Sequence, residues 1–190
     1  MSMTVPTPRV LGDAIPGGLV RDIALVAGGA GLTGIAAQIA LPLPFTPVPL
    51  TLQTLAVLLV GASLGTARGF ASMLLYVAAG AAGMPWLSDG SSGISSASFG
   101  YVLGFLIAAP LVGRLAQGGA TRRPLHTAGL MIAGNLAIYA IGVPWLMAFA
   151  HLGLGKAMAL GVLPFLIGDL LKIVAASGAL PTAWRLTGPR

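Results

Sequence analysis

A chain of 190 residues that is 56 % hydrophobic and 7 % charged, with a mean hydropathy of +0.94, has too little polar surface for a water-soluble domain of its size. It reads as an integral, all-α membrane protein. The formal charge is +6, without a single Glu, but the basic residues are scattered between apolar spans and read as topology signals rather than as a nucleic-acid surface. With no Cys, disulfides, thiolate metal sites and thiol catalysis are excluded.

In chain order, residues 1–18 form a polar, Pro/Gly-rich tail that lacks a signal-peptide pattern and is expected to be poorly ordered. Span 1 covers Leu19–Leu41. Residues 42–50, Pro-Leu-Pro-Phe-Thr-Pro-Val-Pro-Leu, cannot form a regular helix, because the prolines remove donors and fix the backbone. Being uncharged, this segment is expected to dip into the membrane as an extended cover over a cavity, where protein or water satisfies its backbone. Span 2 is Thr51–Leu64, short for a full crossing, and span 3 is Arg68–Gly83. Residues 84–97 are a loop rich in turn formers. Span 4 is Ser98–Gln117, followed by a short basic loop at Gly118–Pro124. Span 5 is Leu125–Phe149, with a bend expected at Gly142-Val-Pro144. After a connection at 150–160, span 6 runs over Gly161–Ala183. The membrane domain is thus a six-helix bundle over residues 19–184, with a short tail at 185–190.

Six spans place both termini on one side. Arg9, Arg21, Arg68, Arg114, Arg122, Arg123, Arg185 and Arg190 all fall at the termini or in the 2–3 and 4–5 connections. The other side carries only Lys156, so the termini are expected in the cytoplasm. The Pro-rich cover, the 84–97 loop and the 150–160 connection then face outward.

Span 6 holds two charges in Pro164-Phe-Leu-Ile-Gly168-Asp169-Leu-Leu-Lys172. An isolated charge at mid-membrane costs roughly 2.5–3.5 kcal/mol on insertion scales. Pro164 suits a first helical turn, and Asp169 and Lys172, at i and i+3, share a face that should point into the bundle. Asp169 lies about 7–8 Å below Pro164 at helical rise, in the outer half. The pair either locks helix to helix or presents an acceptor and a cation to a polar ligand caught from outside. Gln53 and Thr51 open span 2 on the same outer side, and Asn135 and Tyr139 are i, i+4 in span 5. Asp89, in the polar cap Ser88-Asp-Gly-Ser-Ser-Gly93, is either solvated or a lid contact. Trp86 and Trp145 fit an outer aromatic belt or the wall of a cavity.

Two motifs mislead. Gly29-Ala-Gly31-Leu-Thr-Gly34 matches a dinucleotide fingerprint but lies inside a span, with no strand before it. It belongs instead to a run of small-xxx-small pairs through Ala24, Gly28, Gly31 and Ala36, a face for close helix packing or for docking another membrane subunit. Gly61-Ala-Ser63-Leu-Gly65 matches a nucleophile elbow, which raises an intramembrane serine protease. That chemistry needs a histidine, and His126 and His151 both sit at span edges, without metal-ligand spacing. No P-loop occurs, so the chain is not expected to hydrolyse ATP.

The run Pro47-Val-Pro49-Leu-Thr51-Leu-Gln53 resembles the BioY family, the biotin-binding S components of energy-coupling factor (ECF) transporters. The likeness continues through Leu75-Tyr76, Gly80-Ala-Ala-Gly83-Met-Pro85 and Phe99-Gly-Tyr101-Val-Leu-Gly104-Phe105 to Pro164-Phe165 and Gly168-Asp169-Leu-Leu-Lys172, in order over essentially the whole chain after the tail. The resemblance implies a vitamin-capture subunit without enzymatic activity or cofactor. Its partners would be biotin, the lipid bilayer, a transmembrane coupling subunit and two cytosolic ATP-binding subunits. It maps the family's ligand contacts onto Asp169 and Lys172, to which the residue reading adds Gln53, Asn135, Tyr139 and Asp89, and it maps the coupling surface onto Ala24, Gly28 and Gly31 of helix 1. It implies a multi-pass protein of the bacterial inner membrane. The family's Gly-rich run in the 3–4 loop is replaced here by Ser96-Ala-Ser98-Phe-Gly100-Tyr101, and Ser88-Asp89 stand where Asn or Gly is common, so the resemblance carries less weight in that loop than in span 6. A different vitamin is the nearest alternative ligand.

Overall fold

In a hydrocarbon environment the backbone must satisfy its own donors and acceptors, so apolar sequence of this length folds as helix. A computed structural model describes residues 9–187. The expected tail segments 1–8 and 188–190 lie outside the described residues. Among the described residues, five helical stretches are long and apolar enough to cross a membrane. They are α1 (Leu19–Gln38), α2 (Gln53–Ala81), α3 (Phe99–Gln117), α4 (Pro124–Ala150) and a final stretch, Leu154–Thr187. The last comprises a short α5 (Leu154–Gly161), a 3-10 turn at Leu163–Phe165 and α6 (Leu166–Thr187).

Helix α2 is broken. Gly65 has φ 82° and ψ −176°, a left-handed backbone that glycine adopts without a Cβ penalty. In a straight helix Gln53 and Tyr76 would stand about 35 Å apart, yet their side chains are hydrogen-bonded at 2.7 Å. The two halves therefore lie side by side, antiparallel. The break falls between the Thr51–Leu64 and Arg68–Gly83 spans read from the sequence. Helix α3 packs across it, where a Cβ on Gly113 would lie 2.4 Å from the carbonyl carbon of Gly65. Such an approach is open only to glycine. Tyr76, Phe105, Met73, Met131 and Ile138 fill the centre of the bundle and are fully buried.

The two ends of the bundle differ. At one end the chain is tightly tied. Residues 9–14 are not the loose tail expected: Val10 is fully buried, and Leu11–Ala14 form a 3-10 turn whose Gly12 packs on Ser63 and Leu64 at the Gly65 break. Asp13 accepts from the backbone N–H groups of Arg9 and Val10 and pairs with Arg68, which also reaches Asp22 at 3.3 Å. Partial burial pushes the Asp13 carboxyl up, but the Arg68 guanidinium and the two N–H groups outweigh it, and its pKa lies below the ordinary value. At the same end Trp184 of α6 donates to Thr121 Oγ1 at 2.8 Å, and the Arg122 guanidinium lies 4.6 Å from its ring centre.

At the other end the connections are longer. Ala40–Leu41 (β1) pairs antiparallel with Leu50–Thr51 (β2), in the register Ala40 to Thr51 and Leu41 to Leu50. The Pro-rich segment between them is held to the 150–160 connection by Thr46, which donates to the Leu160 carbonyl at 2.7 Å. Much of that connection is helical (α5), where the sequence reading has a plain loop. The bend expected at Pro144 does not interrupt α4, which continues to Ala150.

Candidate ligand-binding site

A cavity, about 510 Å³ with its solvent-open mouth included, lies at this second end, among α2, α3, α4 and α6 and beneath the Pro-rich segment. The cover contributes Val48, Pro49, Leu50 and Thr51, and the start of α2 contributes Gln53 and Thr54. Helix α3 presents Tyr101, Val102 and Phe105, and α4 presents Asn135, Ile138 and Tyr139, each set on one face at helical spacing. Phe165, Asp169 and Lys172 close the wall from the last stretch, with Ser88 and Ser98 from the loop side.

Asp169 lies in the first turn of α6, where the helix dipole favours a carboxylate. Its side chain is 7 % exposed and that of Lys172 11 %, so both charges need partners. Lys172 Nζ lies 3.5 Å from Asp169 Oδ1 and donates to Thr54 Oγ1 at 2.8 Å. The Tyr139 hydroxyl donates to Asp169 Oδ2. Three helices thus share one polar cluster in the cavity wall. A buried pair is tolerated when its remaining hydrogen-bonding positions are filled in this way.

Five of the six residues singled out from sequence meet in this wall: Asp169, Lys172, Gln53, Asn135 and Tyr139. Asp89 does not. It is exposed, with φ 56° in the Ser88–Gly90 turn, and its neighbour Ser88 takes the place in the wall. Sequence reasoning missed Thr54, Tyr101 and Phe105. Tyr101 wedges between α4 and α5, donating to the Gly161 carbonyl at 2.9 Å, with its ring edge-on to Tyr139 at 6.3 Å. Nothing about a neutral hydroxyl or a ring in an apolar helix marks it in advance as a wall residue.

Trp86 and Trp145 do not line the cavity. Each is half-buried and donates its indole N–H to a backbone carbonyl, of Tyr76 at 3.0 Å and of Ser96 at 2.9 Å. The small residues of α1 divide between two sides. Gly29 and Gly34 pack against Ser72 and Trp86, whereas Gly28 and Gly31 face open space, with Ala24 exposed beside them. Ser63 sits at the tied end, away from the cavity. His126 and His151 are exposed at opposite ends of α4.

Residues 4–189 match the BioY family. The chain is 40 % identical over 171 residues to a probable biotin transporter BioY of Pyrococcus horikoshii, covering 88 % of this chain and 97 % of that one. It is 34 % identical over 145 residues to the biotin transporter BioY of Rhizobium etli, covering 71 % and 77 % of the two chains. Its fold is similar to the crystal structure of the S-component for biotin from an ECF-type ABC transporter, with a TM-score of 0.78, 22 % identity, and 90 % and 93 % of the chains covered.

Proposed function

The chain belongs to the BioY family, and from that premise we propose that it is the biotin-capture component of an ECF transporter. The observation that carries this reading is the Asp169–Lys172–Tyr139–Thr54 cluster, set in the wall of a cavity at the end of the bundle away from Asp13 and Trp184. The wall combines apolar and aromatic side chains with a few convergent polar groups, the lining of a small-molecule site. Biotin has an apolar bicyclic body, a ureido group and a carboxylate. Asp169 accepts from ureido N–H groups, while Lys172, Asn135 and Gln53 offer donors to its carbonyl or carboxylate. Tyr101, Val102, Phe105 and Ile138 bury the body.

We read the two halves of α2 as separate crossings, giving six with both termini in the cytoplasm and the cavity open to the outside, in a protein of the bacterial inner membrane. The open side of α1 around Ala24, Gly28 and Gly31 is the surface for the transmembrane coupling subunit, since backbones approach closely there. Cytosolic ATP-binding subunits supply the energy, and the chain itself performs no catalysis.

The test is a titration of biotin into detergent-purified protein prepared without vitamin, followed by heat. Saturable binding is expected. A monodisperse, helical sample that takes up no biotin would sink this reading, and other vitamins would then be screened.

A further inference from the structure

The loop at 84–97 is fastened to the helices by a buried chain of hydrogen bonds that leads away from the cavity. Gln53, in the wall and 3 % exposed, donates through its amide nitrogen to the Tyr76 hydroxyl at 2.7 Å. Its amide oxygen accepts from Ser88 Oγ at 3.1 Å. The Tyr76 hydroxyl donates onward to the Trp86 carbonyl at 2.9 Å, and the Trp86 indole returns to the Tyr76 carbonyl at 3.0 Å. Trp86 is seated over Gly34 of α1 and Gly80 of α2, where a Cβ would meet its ring at 3.1 and 3.3 Å. Tyr76 is fully buried and does not line the cavity.

The direction of these bonds matters. A carbonyl only accepts, so the single proton of the Tyr76 hydroxyl is committed to Trp86. Towards Gln53 the phenol oxygen therefore only accepts. This sets the Gln53 amide with nitrogen to Tyr76 and oxygen to Ser88, and leaves one N–H and one carbonyl lone pair in fixed directions. We infer that Tyr76 is a positioning residue for biotin capture, which orients the Gln53 amide in the cavity wall without touching the ligand. The inference rests on the cavity being the biotin site.

The test is a double-mutant cycle in biotin affinity, with Tyr76→Phe, Gln53→Leu and the two combined in purified protein. Tyr76→Phe is expected to weaken binding roughly tenfold, the scale of one buried hydrogen bond. Because Tyr76 acts through Gln53, the double variant should bind no more weakly than Gln53→Leu alone. A purely structural tyrosine would give additive losses. Additivity, or wild-type affinity in Tyr76→Phe, overturns the inference while the biotin site stands. Wild-type protein that binds no biotin removes the site and the inference together. If Tyr76→Phe does not fold, Tyr76→Leu takes its place in the same cycle with Gln53→Leu, and an additive loss there overturns the inference equally.

Discussion

Replacing Lys172 by Met keeps the length and apolar volume of the side chain and removes its charge. In the native cavity Nζ lies 3.5 Å from Asp169 Oδ1, with both side chains nearly sequestered. At an effective dielectric of about 20, the gross attraction at this separation is about 5 kcal/mol, before desolvation is subtracted. Removing one member of a buried pair typically costs about 3–5 kcal/mol, because the survivor is left uncompensated. The lower figure applies here, since the Tyr139 hydroxyl still donates to Asp169. Binding suffers separately: a lost hydrogen bond to a charged group is worth about 1.5–3 kcal/mol, or roughly 10- to 150-fold in affinity. Melting curves with and without biotin, paired with calorimetric titration, separate the two effects, since ligand adds stability as the logarithm of its concentration relative to Kd. Adding Asp169→Asn to Lys172→Met should recover stability and leave affinity low, because the orphaned charge is gone but the ligand contacts are not restored. A Lys172→Met protein that melts with wild type and binds biotin within a factor of about two would refute both the pairing and the site.

Three further outcomes follow from other contacts. Thr54→Val removes the 2.8 Å partner of Lys172 Nζ at constant shape, and should cost about 1 kcal/mol of biotin affinity by titration; unchanged affinity would mean that Thr54 does not place the lysine. Gly113→Ala forces a methyl to within 2.4 Å of the backbone at Gly65, which no rotamer change relieves, and a loss of about 1–3 kcal/mol in thermal stability is expected. A melting temperature equal to wild type would exclude that backbone approach. Asp13 has a folded pKa below the ordinary 3.8, so its pairing with Arg68 is complete above that value and is lost as pH falls through the lower folded one. Melting should therefore weaken on the acid side, and Asp13→Asn should melt lower at neutral pH with a shallower acid-side fall; an unchanged acid profile would refute a role for the pair.

The helical stretches were readable because lipid imposes one rule on the backbone and charge imposes another. The starts of α1, α3 and α4 fall within a residue or so of the expected edges at Leu19, Ser98 and Leu125. Polar Thr66 and Arg68 after Gly65 mark the place where α2 turns back. What was not readable depended on neighbours. Val10 lies in a Pro/Gly-rich tail whose composition suggests looseness. It is buried because the Gly65 turn leaves a gap beside it, a property of the folded helices and not of residues 9–14. Helix α5 carries Gly155, Lys156 and Gly161 and is too short to register as a span, so its apolar length gave no signal.

The site shows the same division at finer scale. Asp169 and Lys172 stood out because a charge inside an apolar segment is costly unless it is answered, and their spacing answers one with the other. Asn135 and Tyr139 stood out by sharing a helical face. Yet the fourth member of the cluster follows a different logic. Thr54 is one hydroxyl among several in span 2, and only the arrival of α6 alongside α2 distinguishes it. Asp89 and Ser88 show the converse: the charged residue attracts notice, but the left-handed turn at Asp89 leaves it exposed and puts the serine in the wall. Charge in a sequence marks where a partner is required. Whether a neutral polar group is that partner is decided by which helices meet, and in this bundle the glycines at Gly65 and Gly113 help set that meeting by letting backbones touch. The composition of the cavity therefore depends on residues that never line it.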